Sequence, residues 1–162
     1  MLTPYHIMPE TSKLWVYQAN RSFTQDEVWD ISDILENFVD QWKSHQREVK
    51  GFGSLYYRRF LVLMADEDAA DVSGCSIDSS VKLVKELEQA YDLHFFDRMK
   101  ICYKITDELI GSFPFNKLNE MLETGKIKED TIVFNNLVTT KKEFESKWQV
   151  PFKDSPFAKL VI

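Results

Sequence analysis

The run Phe60-Leu61-Val62-Leu63-Met64-Ala65 is apolar at every position, with no polar alternation. A strand that shows apolar side chains on both faces has to be buried on both faces. It therefore reads as the central strand of a sheet.

Upstream, Leu14-Trp15-Val16-Tyr17 is bulky and partly β-branched and reads as a strand. Thr24 and Glu27 have the spacing of a capping box, with Phe23 and Val28 at the positions of a hydrophobic staple. Val28, Ile31, Leu35, Phe38 and Trp42 recur at helical steps, which predicts a helix with one apolar face. Residues 49–56 read as a second strand, joined to 60–65 by the tight link Tyr57-Arg58-Arg59. Ile77, Val81, Val84, Leu87 and Tyr91 mark a second amphipathic helix. Met99, Ile101, Tyr103 and Ile105 then alternate with Lys100, Cys102 and Lys104, as in a strand with one wet side. The order β-α-β-β-α-β predicts an α+β fold of the ferredoxin-like, split βαβ type, with sheet order 4-1-3-2 and the first and third strands in the centre.

A chain of 162 residues fits a single domain, 1–162. Residues 1–105 carry the ferredoxin-like core, and 106–162 form an α/β extension. In the extension a helix is expected over 114–124, ending at Gly125, and a strand over 131–134. Thr140 with Glu143 caps a short helix carrying Phe144 and Trp148, and the tail after Pro151 looks irregular. A ferredoxin-like sheet has helices on one face only, so the other face is solvated, paired with another subunit or covered. The aromatic side chains of the extension, Phe134, Phe144, Trp148 and Phe157 among them, are expected to pack on the core or to form a homodimer contact.

The expected sheet directions bring Asn20, Arg21, Arg58, Arg59, His94 and Arg98 to one pole, although they lie far apart in sequence. Arginine presents a planar fork that suits carboxylate or phosphate, so this pole is the predicted anion-binding surface. Local ion pairing of each arginine accounts for the same residues. The opposite pole holds Asp66-Glu67-Asp68, Asp71 and the segment Ser73-Gly74-Cys75-Ser76-Ile77-Asp78-Ser79-Ser80. Asp66, Asp68 and Asp71 are oxygen donors of the kind Mg²⁺ or Ca²⁺ takes, but they lack EF-hand spacing, and a solvated loop is preferred. A helix start rich in Ser and Gly presents backbone N–H groups to anions and lowers a thiol pKa, which makes Cys75 and Asp78 the catalytic candidates of an enzyme. Ser and Asp are equally the favoured caps, and the acids upstream oppose a thiolate, so capping is preferred.

Several classes are excluded. No His/Cys cluster has zinc spacing, and no cofactor is expected. There is no G-x-S-x-G elbow and no G-x-G-x-x-G fingerprint. Gly125-Lys126 is followed by Ile127, and Glu120 stands where a P-loop needs its first Gly. The formal net charge of −6 argues against a nucleic-acid or membrane partner. The longest wholly apolar run is far short of the ~20 residues of a membrane helix, and residues 1–13 lack a signal-peptide pattern. With only Cys75 and Cys102 there is no disulfide framework, and the cytoplasm is the expected location.

The segments 14–21 (LWVYQANR), 73–80 (SGCSIDSS) and 96–98 (FDR) resemble a family of small, uncharacterised bacterial proteins, some labelled "ABC transporter ATPase". The resemblance spans most of the chain and implies no catalytic residues that could be transferred. Its ATPase label finds no Walker A lysine loop here. The expectation is a small cytoplasmic binding or interaction module without ATPase activity, whose partner is a small anionic ligand or a protein. The alternative is a small enzyme using Cys75 or the acidic 66–71 loop on an anionic substrate.

Overall fold

The structure is a computed structural model that describes residues 1–66 and 77–161, and the backbone of 74–76. Its first long element follows the local chemistry. Thr24 Oγ1 accepts the Glu27 N–H and the Glu27 carboxylate accepts the Thr24 N–H, which closes the capping box and starts α1 (Gln25–Asp40). Ile31, Leu35 and Val39 form its buried stripe. Trp42 lies just past the helix end and is also buried.

β1 (Lys13–Gln18) precedes α1. After it come a short hairpin, β2 (Lys43–Ser44) and β3 (Arg47–Glu48), and then β4 (Gly51–Tyr56) and β5 (Phe60–Ala65). β1, β5 and β4 make one antiparallel sheet in that order, and every residue of β5 is buried. The apolar run thus lies in the middle of its sheet. Side chains of Tyr17, Leu61 and Leu63 face α1 and α2 (Gly74–Tyr91) in one core cluster, together with Leu35 and Leu87. α1 lies very close over β4. A Cβ built on Gly53 would stand 2.9 Å from Leu35 Cγ and 3.0 Å from a Val39 methyl, so glycine is what permits the approach.

The opposite face of the sheet carries Leu14, Phe60, Val62 and Met64, and a second sheet lies over it. That sheet has four strands in the order β7-β6-β8-β9: β6 (Lys100–Lys104), β7 (Ile110–Pro114), β8 (Ile132–Phe134) and β9 (Gln149–Pro151). Cys102, Ile110 and Phe134 face the first sheet, joined by Phe144 and Trp148 from α4 (Lys141–Lys147) and its end. The far face of the second sheet packs Ile101, Phe113 and Val133 against Leu118 of α3 (Leu118–Glu123) and Phe152 of the tail. Among the described residues the protein is therefore mixed α+β, with four α-helices and three small antiparallel sheets.

The predicted order 4-1-3-2 is met over its last three places, as β1-β5-β4. The fourth predicted strand, β6, pairs instead with β7 along its length and with β8 through Tyr103↔Val133. The physical reason is that the centre of β6 is covered on both faces. Cys102, on the side predicted to be wet, is buried against the first sheet and Ile101 on the second sheet's other side, so β6 lies between layers rather than at the edge of the first sheet. β1 is left at the end of its sheet rather than in the centre.

The extension differs in detail from its expected pattern. The segment 110–114 is a strand, and the helix begins only at Leu118 after a 3₁₀ turn at Phe115–Lys117. Gly125 follows the helix with φ +74°, the left-handed conformation that closes helices. Thr140 accepts the Glu143 N–H at the start of α4. The tail is partly ordered into 3₁₀ turns, Phe152–Asp154 and Pro156–Leu160.

Candidate functional site

Asn20, Arg21, Arg58, Arg59 and His94 gather around the loop that leaves β1. Asn20 and His94 exchange hydrogen bonds. The Asn20 N–H donates to the His94 carbonyl at 2.9 Å, and the His94 N–H donates to Asn20 Oδ1 at 2.8 Å. Arg58 donates twice to the Phe23 carbonyl, at 2.9 and 3.1 Å. The buried Arg59 donates to the Ala19 carbonyl at 2.8 Å, the Asn20 carbonyl at 3.1 Å and Ser112 Oγ at 2.8 Å. Arg21 holds the Glu27 carboxylate with both fork nitrogens, at 2.8 and 2.9 Å, and donates to the Tyr91 carbonyl at 2.7 Å. Tyr91 ends α2, so this guanidinium links the start of α1 to the end of α2, where the helix dipole favours a cation. The three forks are therefore directed at the protein's own carbonyls, one serine hydroxyl and one carboxylate.

The Arg21 fork holds Glu27 well below the usual carboxylate range, down to about 2, aided by the hydrogen bond from the Thr24 backbone. A carboxylate with a depressed folded pKa contributes stability that is complete above its unfolded pKa of about 4.3 and is lost as pH falls through the folded value. Glu27→Gln keeps an amide able to serve the capping box. The variant is expected to be less stable than the parent at neutral pH, and the gap should close between about pH 4.5 and pH 2. Denaturant titrations at stepped pH measure this. Parallel stability curves down to pH 2 would show that the pair adds nothing.

Arg98 lines a groove beside β1. The edge of β1 opposite β5 opens into a groove of about 560 Å³, inside the range of ligand sites. One wall is 95–98 with Lys100; the other is 136–139 with Pro156, Phe157 and Leu160. Phe96 meets the Tyr17 ring edge-on at 5.7 Å, and Phe115 meets Phe157 at 5.8 Å. Gln18 spans the base: its Nε2 donates to the Lys100 carbonyl at 3.2 Å and its Oε1 accepts Asn136 Nδ2 at 2.9 Å. Asn136 is itself fixed by the Trp148 indole N–H at 2.9 Å. Leu137 and Leu160, 74% and 52% exposed, line this groove as large apolar side chains open to solvent. Among the described residues, the Arg98 and Lys100 side chains have neither a hydrogen-bond partner nor an ion-pair partner.

At the opposite pole, Asp66 closes β5 with its N–H on the Lys50 carbonyl at 2.9 Å, and Asp78 is exposed on α2. Asp68, Asp71 and the Cys75 side chain lie outside the described residues. Among the described residues no three His, Cys, Asp or Glu side chains gather as a metal-binding set. Cys102 is buried, and desolvation pushes its thiol up to about 12, so it is no nucleophile at neutral pH.

Sequence reasoning pointed to Arg98 but not to Lys100, Phe96 or the 136–139 wall. The signals were faint: an apolar β1 with two bulky faces, and the short apolar pair Leu137-Val138 between Asn136 and Thr139. No protein-family model, curated protein or solved structure matches the chain.

Proposed function

We propose that this chain is a small, non-enzymatic cytoplasmic binding module, and that its recognition surface is the groove along β1. The observation that carries the reading is the pairing of an apolar groove with two cations that no described group neutralises. Such a site suits a ligand with an apolar body and an acidic end, held by the Arg98 fork and Lys100. Two of the three segments that carry the bacterial family resemblance, 14–21 and 96–98, contribute lining residues. The location draws support from the free, buried thiol of Cys102. Among the described residues no helix is long and apolar enough to cross a membrane.

The anion 1-anilinonaphthalene-8-sulfonate has both features and reports binding by fluorescence. It is expected to bind the native protein saturably at neutral pH. Arg98→Glu should weaken binding several-fold, through loss of attraction and gain of repulsion of about 1 kcal/mol together, with no change in melting temperature. Binding unchanged in that variant would place the dye, and the site, elsewhere. Magnesium-ATP should not be turned over above background; robust hydrolysis abolished by a substitution in this chain would overturn the non-enzymatic reading.

A further inference from the structure

We infer that the groove takes an extended peptide segment of a partner protein, added to β1 as a fourth strand, with a carboxylate of that segment on Arg98 and Lys100. The inference rests on the binding-module reading and names the occupant.

The backbone of β1 supplies the first reason. On the β5 side the ladder continues to Ala19, whose N–H donates to the Arg59 carbonyl at 2.8 Å, so Tyr17, Trp15 and Lys13 are the residues that bond β5. Leu14, Val16 and Gln18 turn their backbone groups the other way. The Leu14 N–H is taken by the Thr139 carbonyl at 3.0 Å, and beyond the strand the Asn20 N–H by the His94 carbonyl at 2.9 Å. Between these two closures, the N–H and C=O groups of Val16 and Gln18 have no backbone partner among the described residues. Two donors and two acceptors thus alternate at the spacing that a neighbouring strand requires. From Leu14 to Asn20 the opening runs about 20 Å at ~3.3 Å per residue, room for a paired stretch of about four residues.

Edge strands are normally blunted by Lys, Pro or a bulge, because they template pairing with other chains. β1 begins with Lys13, but that residue precedes the closure at Leu14, and the open stretch beyond it, Trp-Val-Tyr-Gln, has none of these. Its protection is recess: the walls at 95–98 and 136–139 stand on either side. A recessed edge admits a single thin strand. It does not admit the β1 edge of a second copy, which would be equally recessed. A fatty acid would use the apolar walls and the cations but would leave the Val16 and Gln18 N–H groups unmatched, whereas a peptide matches them and fills alternate side-chain positions. In an acidic protein, two unpaired cations beside the edge select an acidic residue or a terminal carboxylate.

The test pans the full chain against a displayed library of random twelve-residue peptides and measures the recovered sequences as synthetic peptides by calorimetry. Expected are peptides with an acidic residue beside alternating β-branched or aromatic residues. N-methylation in one register should weaken them about tenfold, the scale of a lost hydrogen bond, and in the other register should not. Amide exchange at Val16 and Gln18 should slow on binding, and Arg98→Glu should abolish the acidic preference. Peptides indifferent to N-methylation in both registers, or an acidic preference that survives Arg98→Glu, overturn the inference. Dodecanoate is the control. If it binds and no peptide does, the strand pairing fails while the binding module stands; if dodecanoate, peptides and the naphthalene sulfonate all fail to bind, both fall.

Discussion

Trp148→Ala is expected to destabilise the protein by about 4 kcal/mol, within the range for removing a buried tryptophan, and to lower the thermal midpoint by roughly 10 °C. Trp148 is 2% exposed and joins the two sheets. Its ring stacks on Phe144 at 4.5 Å and 25°, and meets Phe60 of β5 edge-on at 5.1 Å and 81°. Phe134 of β8 lies 5.0 Å away and Tyr56 of β4 5.8 Å away. Tyr57 of the β4–β5 link is 6.0 Å away, so truncation would open a cavity bounded by five aromatic rings that come from several elements and cannot close on it together. It would also strip Asn136 Oδ1 of its indole donor, loosening the residue that holds Gln18 at the base of the groove. Trp148→Phe fills most of the space and should cost less than half as much. Urea denaturation followed by circular dichroism measures both. A loss under about 1 kcal/mol for the alanine variant would mean that the second sheet is not held to the first through this residue.

The parts of the fold legible in the sequence are those whose signal is local. The Thr24–Glu27 box, the Thr140 cap and Gly125 work through neighbours within four residues, and the structure uses each as the spacing implies. The apolar run at β5 is also self-contained, because a strand without a polar face fits only the middle of a sheet. What was not legible depends on partners distant in sequence. β6 left its expected place because β7 and β8 compete for it, and both are short strands; β7 reads Ile-Gly-Ser-Phe-Pro, with weak strand formers inside. The β2–β3 hairpin turns at His45-Gln46, and the β4–β5 link at Tyr57-Arg58, all with positive φ. Such primed turns are normally announced by Asn or Gly, and here they are not. Tyr57 is held in its turn by packing against Phe134 and Trp148, and Arg58 by its bonds to the Phe23 carbonyl.

The arginines show how topology can locate a residue while its chemistry goes unread. The strand order implied by the sequence brings these strand ends to one pole, and Asn20, Arg21, Arg58, Arg59 and His94 do meet there. Whether a guanidinium faces solvent or a carbonyl depends on which backbone acceptors the turn leaves free, and that is set only when the chain is folded. The groove is harder still, since its lining comes from β1, 95–100, 136–139 and the tail, and no one segment carries the signal.

Arg59→Met is expected to cost about 3 kcal/mol, because the arginine completes a ladder that its own turn interrupts. The Arg59 N–H closes the turn on the Tyr56 carbonyl at 3.0 Å, so it cannot donate to Ala19 as strand pairing would require. Arg59 Nε donates to the Ala19 carbonyl instead, and a second nitrogen reaches the Asn20 carbonyl and Ser112 of β7. Methionine fills similar space and removes the desolvation cost of a guanidinium that is 5% exposed, which offsets part of the loss. It leaves the Ala19 carbonyl buried without a donor, at about 1–3 kcal/mol, and cuts the polar tie between the sheets. Arg58→Met is the matched control: that side chain is exposed, water can replace it at the Phe23 carbonyl, and the loss should stay under about 1 kcal/mol. Chemical denaturation of the pair measures the contrast between neighbours. Equal losses at 58 and 59, or a stable Arg59→Met variant with weakened phosphate binding, would return Arg59 to the surface as an anion ligand rather than a fixture of the fold.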